Sequence, residues 1–147
     1  MAGWRWANLP LPEPHLAGLA TGIVLQLVTG WRLVRSAVLG HAIGWPLVLA
    51  GVGLALWAVV AAGRVHLARP TGLVAGGPYR FSRNPMYVAW TLIYAGVALA
   101  MNTAWPFVIL PFVLLWMHLV VVREERELQR RFGAEYRAYV SRTGRYV

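Results

Sequence analysis

The stretch GGPYRFSRNPMY, residues 76–87, runs from a glycine- and arginine-rich turn straight into a segment apolar enough to enter a membrane. Gly76, Gly77 and Pro78 are turn chemistry. Asn84 suits the N-cap of a helix and Pro85 its first turn, so Arg83–Asn84–Pro85 predicts a helix start at this point. Tyr79 and Tyr87 suit the aromatic belt of a membrane surface. On these residues alone, a turn and a cap account for the stretch without any function. Downstream, an apolar run over Pro85–Met101 is separated from a second, Ala104–Val122, only by Asn102 and Thr103. That spacing predicts a tight helical hairpin, with Pro106 in a first turn and a kink at Pro111.

The composition agrees. Of 147 residues, 59% are hydrophobic and 13% charged, against about 25% charged in soluble domains. The length suits one unit, and the fold class is an all-α, polytopic integral membrane protein. Two further apolar runs precede the hairpin, His15–Trp31 and Ile43–Gly63, giving about four transmembrane helices. Gly18 and Gly22 form a small-xxx-small pair that predicts a helix-packing face. The division is 15–63 for the N-terminal spans, 64–84 for a cytoplasmic loop, 85–122 for the hairpin and 123–147 for a tail. Residues 1–15 read as an interfacial lead-in rather than a cleavable signal.

All fourteen basic residues are arginine, and the formal net charge is +9. Arg64, Arg69, Arg80 and Arg83 lie between the second and third runs, and seven more follow the fourth. That placement is a headgroup and positive-inside pattern, with the loop and the tail both cytoplasmic, and not a nucleic-acid surface. Arg32 and Arg35 fall on the outer side and count mildly against this orientation; an interfacial or re-entrant first segment would remove the conflict. In the tail, Leu128, Phe132, Tyr136 and Tyr139 share one stripe of an amphipathic helix that Gly133 breaks or bends. This helix is expected to lie on the cytoplasmic face or to fold back over the loop.

Several chemistries are excluded. There is no cysteine, hence no disulfide and no thiolate nucleophile. The histidines lack metal-ligand spacing and no aspartate exists to complete a site, so no metal is expected. GVGLAL, residues 51–56, lacks the third glycine of a dinucleotide fingerprint and lies inside a span. A transport path is disfavoured by the scarcity of ionisable residues within the spans. What stands out is the acids: four of the five glutamates, including Glu124 and Glu125, follow the fourth span. Carboxylates there oppose the helix dipole. The hairpin returns them to the side of Arg83–Asn84–Pro85, where they would either pair with arginine or face a cationic ligand group.

Three ordered parts, LVAGGPYRFSRNPMY, an apolar hairpin and EERELQRRFGAEYRAY, resemble the isoprenylcysteine carboxyl methyltransferase and phospholipid methyltransferase superfamily from about Arg69 to Tyr139. The resemblance implies S-adenosylmethionine as cofactor, bound at the cytoplasmic face without a Rossmann domain. It implies Leu73 and Val74 against the cofactor, Tyr79 packed on it, and Gly77, Arg83, Asn84, Pro85, Met86 and Tyr87 around the pocket. Glu124 would face its polar end, and backbone N–H groups at the helix start would meet its carboxylate. Asn84 replaces the commoner histidine, and Val120 stands where eukaryotic prenylcysteine enzymes carry an arginine, which argues against prenylcysteine as substrate.

The expected activity is methyl transfer to a lipophilic or membrane-embedded acceptor that enters between helices, with membrane lipids as surroundings. No residue is assigned a catalytic role by the resemblance; Glu125 or a tyrosine could help deprotonate an amine acceptor. The alternative is a non-catalytic structural or lipid-binding membrane protein on the same scaffold.

Overall fold

A computed structural model describes residues 12–63 and 72–147. Within them the chain forms α1 (Glu13–Thr29), α2 (Ala37–Ala62), a 3₁₀ turn (Gly77–Arg80), α3 (Pro85–Ala100) and α4 (Trp105–Val140), and no strand among the described residues. The lead-in at residues 1–11 and the loop residues Arg64, His66 and Arg69 lie outside the described residues. Two of the helices, α2 and α4, are long and apolar enough to cross a membrane. At about 1.5 Å per residue, the 26 residues of α2 exceed the roughly 30 Å hydrocarbon core. The 17-residue α1 and the 16-residue α3 are shorter.

Two boundaries and one expected kink differ from the sequence reading. α2 begins at Ala37, six positions before Ile43, because exposed His41 rides on the helix surface without interrupting it. The fourth run and the tail helix are one element, α4, whose interior departs from helical backbone at Gly133 (φ 49°, ψ −111°). The bend expected at Gly133 is present, since glycine alone takes positive φ without a Cβ penalty. Pro111 sits on the exposed side with helical backbone dihedrals and causes no such departure.

The helices run alternately. α2 and α3 pack closely along their length: Gly44 and Gly96 let the two backbones meet, and Gly51 faces the Ala89 carbonyl. Gly18 and Gly22 of α1 lie against Val113 and Pro106 of α4, which is the packing face expected of the small-residue pair. His15 near the start of α1 bonds Thr91 of α3 at 3.0 Å, while Thr29 at its end receives the Trp105 indole N–H at 2.6 Å. Thus α1 extends from the first turns of α3 to the start of α4. Arg32 and Arg35 therefore stay at the end away from Arg83 and the α4 glutamates.

At that far end Asn102, only 8% exposed, holds the α1–α2 connection. Its amide accepts from Val34 N–H and donates to Val34 C=O, both at 2.9 Å, from a backbone with φ 50°. Asn102→Ala removes both bonds and places alanine at an unfavourable positive φ. Its expected cost is about 2–3 kcal/mol. Thermal unfolding in detergent should show that loss, and Asn102→Gly should lose less because it tolerates the φ.

Candidate functional site

The site is assembled where the start of α3 meets the lower part of α4. The 3₁₀ turn opens at Gly77, whose φ of +56° and closeness to Ala61 and Trp57 of α2 require glycine. It delivers Tyr79 into a buried cluster with Ala55, Ala58, Val59, Met86 and Ala89, against which half-buried Val74 packs. Leu73 is half-buried beside it in sequence. From α4 the Tyr139 hydroxyl donates to the Tyr79 carbonyl at 2.6 Å, tying the tail helix to the loop. Burial, with Tyr136 nearby, pushes Tyr139 up to about 12, so it remains a donor at neutral pH. Burial likewise raises Tyr79, with Tyr139 and Glu124 adding to the effect.

The two adjacent glutamates have separate environments. Glu125, its side chain 11% exposed, is the centre of an ion cluster. One oxygen receives Arg83 Nε at 3.1 Å and the Asn84 amide at 3.3 Å. The other receives Arg145 through Nε at 3.0 Å and through a second guanidinium nitrogen at 2.9 Å. Burial pushes its carboxyl up, but the bonds from Arg145 and Arg83 and their charges reverse this and leave it below its ordinary value. Glu124 makes no ion pair among the described residues; its partner is the Tyr87 hydroxyl, which donates at 3.0 Å. Desolvation by the surrounding side chains raises Glu124, and the Tyr87 bond offsets part of that rise. Solvent still reaches the open side of Glu124, which limits the rise.

Asn84 occupies the N-cap position, yet its side chain makes no capping bond. Its amide is spent on Glu125 and, at 3.2 Å, on the Arg145 carbonyl, while its own N–H is taken by Ser82 Oγ at 3.1 Å. The stretch 82–84 thus does more than begin a helix. Pro85 and Met86 are buried against other helices rather than lining an open pocket. Of the first-turn N–H groups expected to meet an anion, those of Tyr87 and Val88 bond the Asn84 carbonyl, and Pro85 has none.

Beside Tyr87 the two arms of the hairpin separate. Between α3 and α4 lies a cleft of about 430 Å³, lined by Val88, Leu92, Leu114 and Met117 together with Tyr87, His118 and Tyr146. The sequence reading gave no site role to Tyr146 or to His118, the latter set aside with the other histidines for lacking metal-ligand spacing; the two bond each other at 3.0 Å. Only their shared position on the cleft, 28 residues apart in the chain, relates them. Residues 141–147 reach the cleft by folding back: Arg83 N–H bonds the Gly144 carbonyl at 2.9 Å and its guanidinium the Thr143 carbonyl at 2.6 Å. Residues 141–147 thus lie against residues 82–84.

The arrangement can receive a ligand with a cationic group beside Glu124 and Tyr87, and an apolar molecule in the adjoining cleft. A carboxylate without a counter-ion among the described residues, aromatic rings and an apolar loop fit the ammonium and the base of S-adenosylmethionine. Compared with known proteins, the chain matches a family model described as phospholipid methyltransferase over residues 39–135 of 147. The match takes in α2, which the resemblance from Arg69 onward had left out. No curated protein and no solved structure matches the chain.

Proposed function

The chain belongs to the phospholipid methyltransferase family, and from that premise we propose that it transfers a methyl group from S-adenosylmethionine to a lipophilic acceptor within the membrane. The observation that carries this reading is the hydrogen bond between Glu124 and Tyr87, which sets a carboxylate beside a residue that also lines the apolar α3/α4 cleft. On this reading the chain makes four membrane passes with the arginine-rich loop and the tail in the cytoplasm, and a water-soluble cofactor reaches the pair from that side.

Glu124, Tyr79 and Tyr87, with Leu73 and Val74, would hold the cofactor, the carboxylate toward its cationic end. When bound, it supplies an already activated methyl group, so the protein need only align the partners and exclude water. The cleft walls Val88, Leu92, Leu114 and Met117 receive the acceptor's apolar body from the side, between α3 and α4. That keeps its reacting group at the Tyr87 end. Arg83 and Asn84, engaged by Glu125, hold the helix start in position.

Calorimetric titration with S-adenosylhomocysteine tests the reading. Glu124→Ala should weaken binding about 10–100-fold, the range for losing one charged hydrogen bond, with little change in melting temperature since solvent reaches this side chain. A folded wild-type protein that does not bind would favour the non-catalytic scaffold.

A further inference from the structure

We propose that residues 141–147 form a strap whose Tyr146 closes one end of the α3/α4 cleft and limits the size of the acceptor group admitted there, with Glu125 as the positioning residue that holds the strap through Arg145 and Arg83. The acceptor part of this inference rests on the function proposed above; the closure does not.

The strap is fastened by its backbone as well as its side chains. Thr143, Gly144 and Arg145 each offer a carbonyl to the 82–84 stretch: to the Arg83 guanidinium, to Arg83 N–H, and to Ser82 Oγ and the Asn84 amide. Thr143 is buried by this docking. Arg145 then turns to Glu125, and the next residue, Tyr146, projects onto the cleft and meets His118. Glu125 has both oxygens occupied by Arg83, Asn84 and Arg145, and it does not line the cleft. It therefore acts on the cleft through the strap rather than on a bound molecule. A segment held by part-buried hydrogen bonds and one ion cluster, with no apolar side chain of its own buried, has few of the apolar contacts that resist local opening. The ring of Tyr146 is the largest side chain the strap brings to the cleft, so strap position and free cleft volume change together.

The absence of native cysteine permits a direct test. Leu114→Cys places one thiol on the cleft wall, to be labelled by a charged maleimide in nanodisc-embedded protein. Tyr146→Ala in that background should speed labelling about tenfold or more, as expected when a local closure is removed. Arg145→Ala should do the same, and Arg145→Lys, which keeps the charge facing Glu125, should return the rate to near that of the parent. Rates within about twofold of the parent for Tyr146→Ala, in protein with an unchanged melting temperature, would overturn the proposal. A lysine variant as fast as the alanine one would overturn the positioning role of Glu125. Should Arg145→Ala fail to fold, Tyr146→Ala, which touches no ion pair, still decides closure. S-adenosylhomocysteine binding by the same samples is read separately. Its absence in the parent removes the methyltransferase reading and the acceptor role, while the labelling rates still decide the strap.

Discussion

Glu125→Ala is expected to cost about 3–5 kcal/mol of stability, the range for removing one partner of a buried ion pair. The reason is what the mutation leaves behind. Arg83, 10% exposed, would keep its charge with no carboxylate facing it. Arg145, at 37% exposure, can turn to water, so Arg145→Ala should cost only about 1 kcal/mol. Thermal unfolding in detergent separates the two. The same cluster sets an acid dependence. Glu125 has a folded value below its ordinary one, so its contribution is fully present above the ordinary carboxylate range near pH 4.3. That contribution is lost as pH falls through the lower folded value. Glu124 is raised in the folded protein and acts with the opposite sign, its contribution lost as pH rises. Glu125→Gln should therefore flatten the acid limb of the stability curve while leaving the neutral limb's slope in place.

Gly44→Val is expected to be as damaging, by a different route. A Cβ built on Gly44 would stand 2.6 Å from both the Ala100 nitrogen and the Gly96 oxygen. Those are backbone atoms of α3, which cannot swing aside as a side chain would, so the two helices must part along their closest contact. Overpacking costs about 1–3 kcal/mol where side chains can yield, and more where they cannot. The expected result is loss of the monodisperse folded protein on size exclusion in detergent. Gly53 of the same helix supplies the comparison: it is exposed, with nothing within 4 Å of a built Cβ. Gly53→Ala should leave the protein folded, and a loss there equal to that of Gly44→Val would place the damage in the helix itself rather than in its packing against α3.

What could be read in advance follows from how local each signal is. Apolar runs, the two-residue Asn102–Thr103 turn and the bend at Gly133 depend on neighbours in the chain, and they predicted α1, α3, the hairpin and the break in the tail helix. The start of α2 was misplaced because a single polar residue, His41, interrupts an apolar run in the sequence without interrupting a helix. Among candidate site residues, the Arg83–Asn84–Pro85 step was expected beside Glu124 and Glu125, and Arg83 and Asn84 both bond Glu125. Met86 was expected at a pocket and lies in the core instead, because a helix start presents its residues to different sides.

The sequence by itself determined the all-α class, a membrane character, the hairpin and the nearness of the Arg83–Asn84–Pro85 step to the paired glutamates. Period, length and charge count are sufficient for these. Only the tertiary structure decided how the two glutamates divide, Glu125 enclosed by two arginines and Glu124 left to a tyrosine. Adjacent residues on a helix point about 100° apart, so their partners depend on what the α3 start and residues 141–147 bring to each side. The same holds for the cleft. Its walls are apolar residues like any others in the spans, and His118 and Tyr146, which also line it, come together because the tail turns back. No spacing in the chain encodes that return, since beside the Arg145–Glu125 pair the acceptors that fix it are the backbone carbonyls of Thr143, Gly144 and Arg145, which every sequence carries alike.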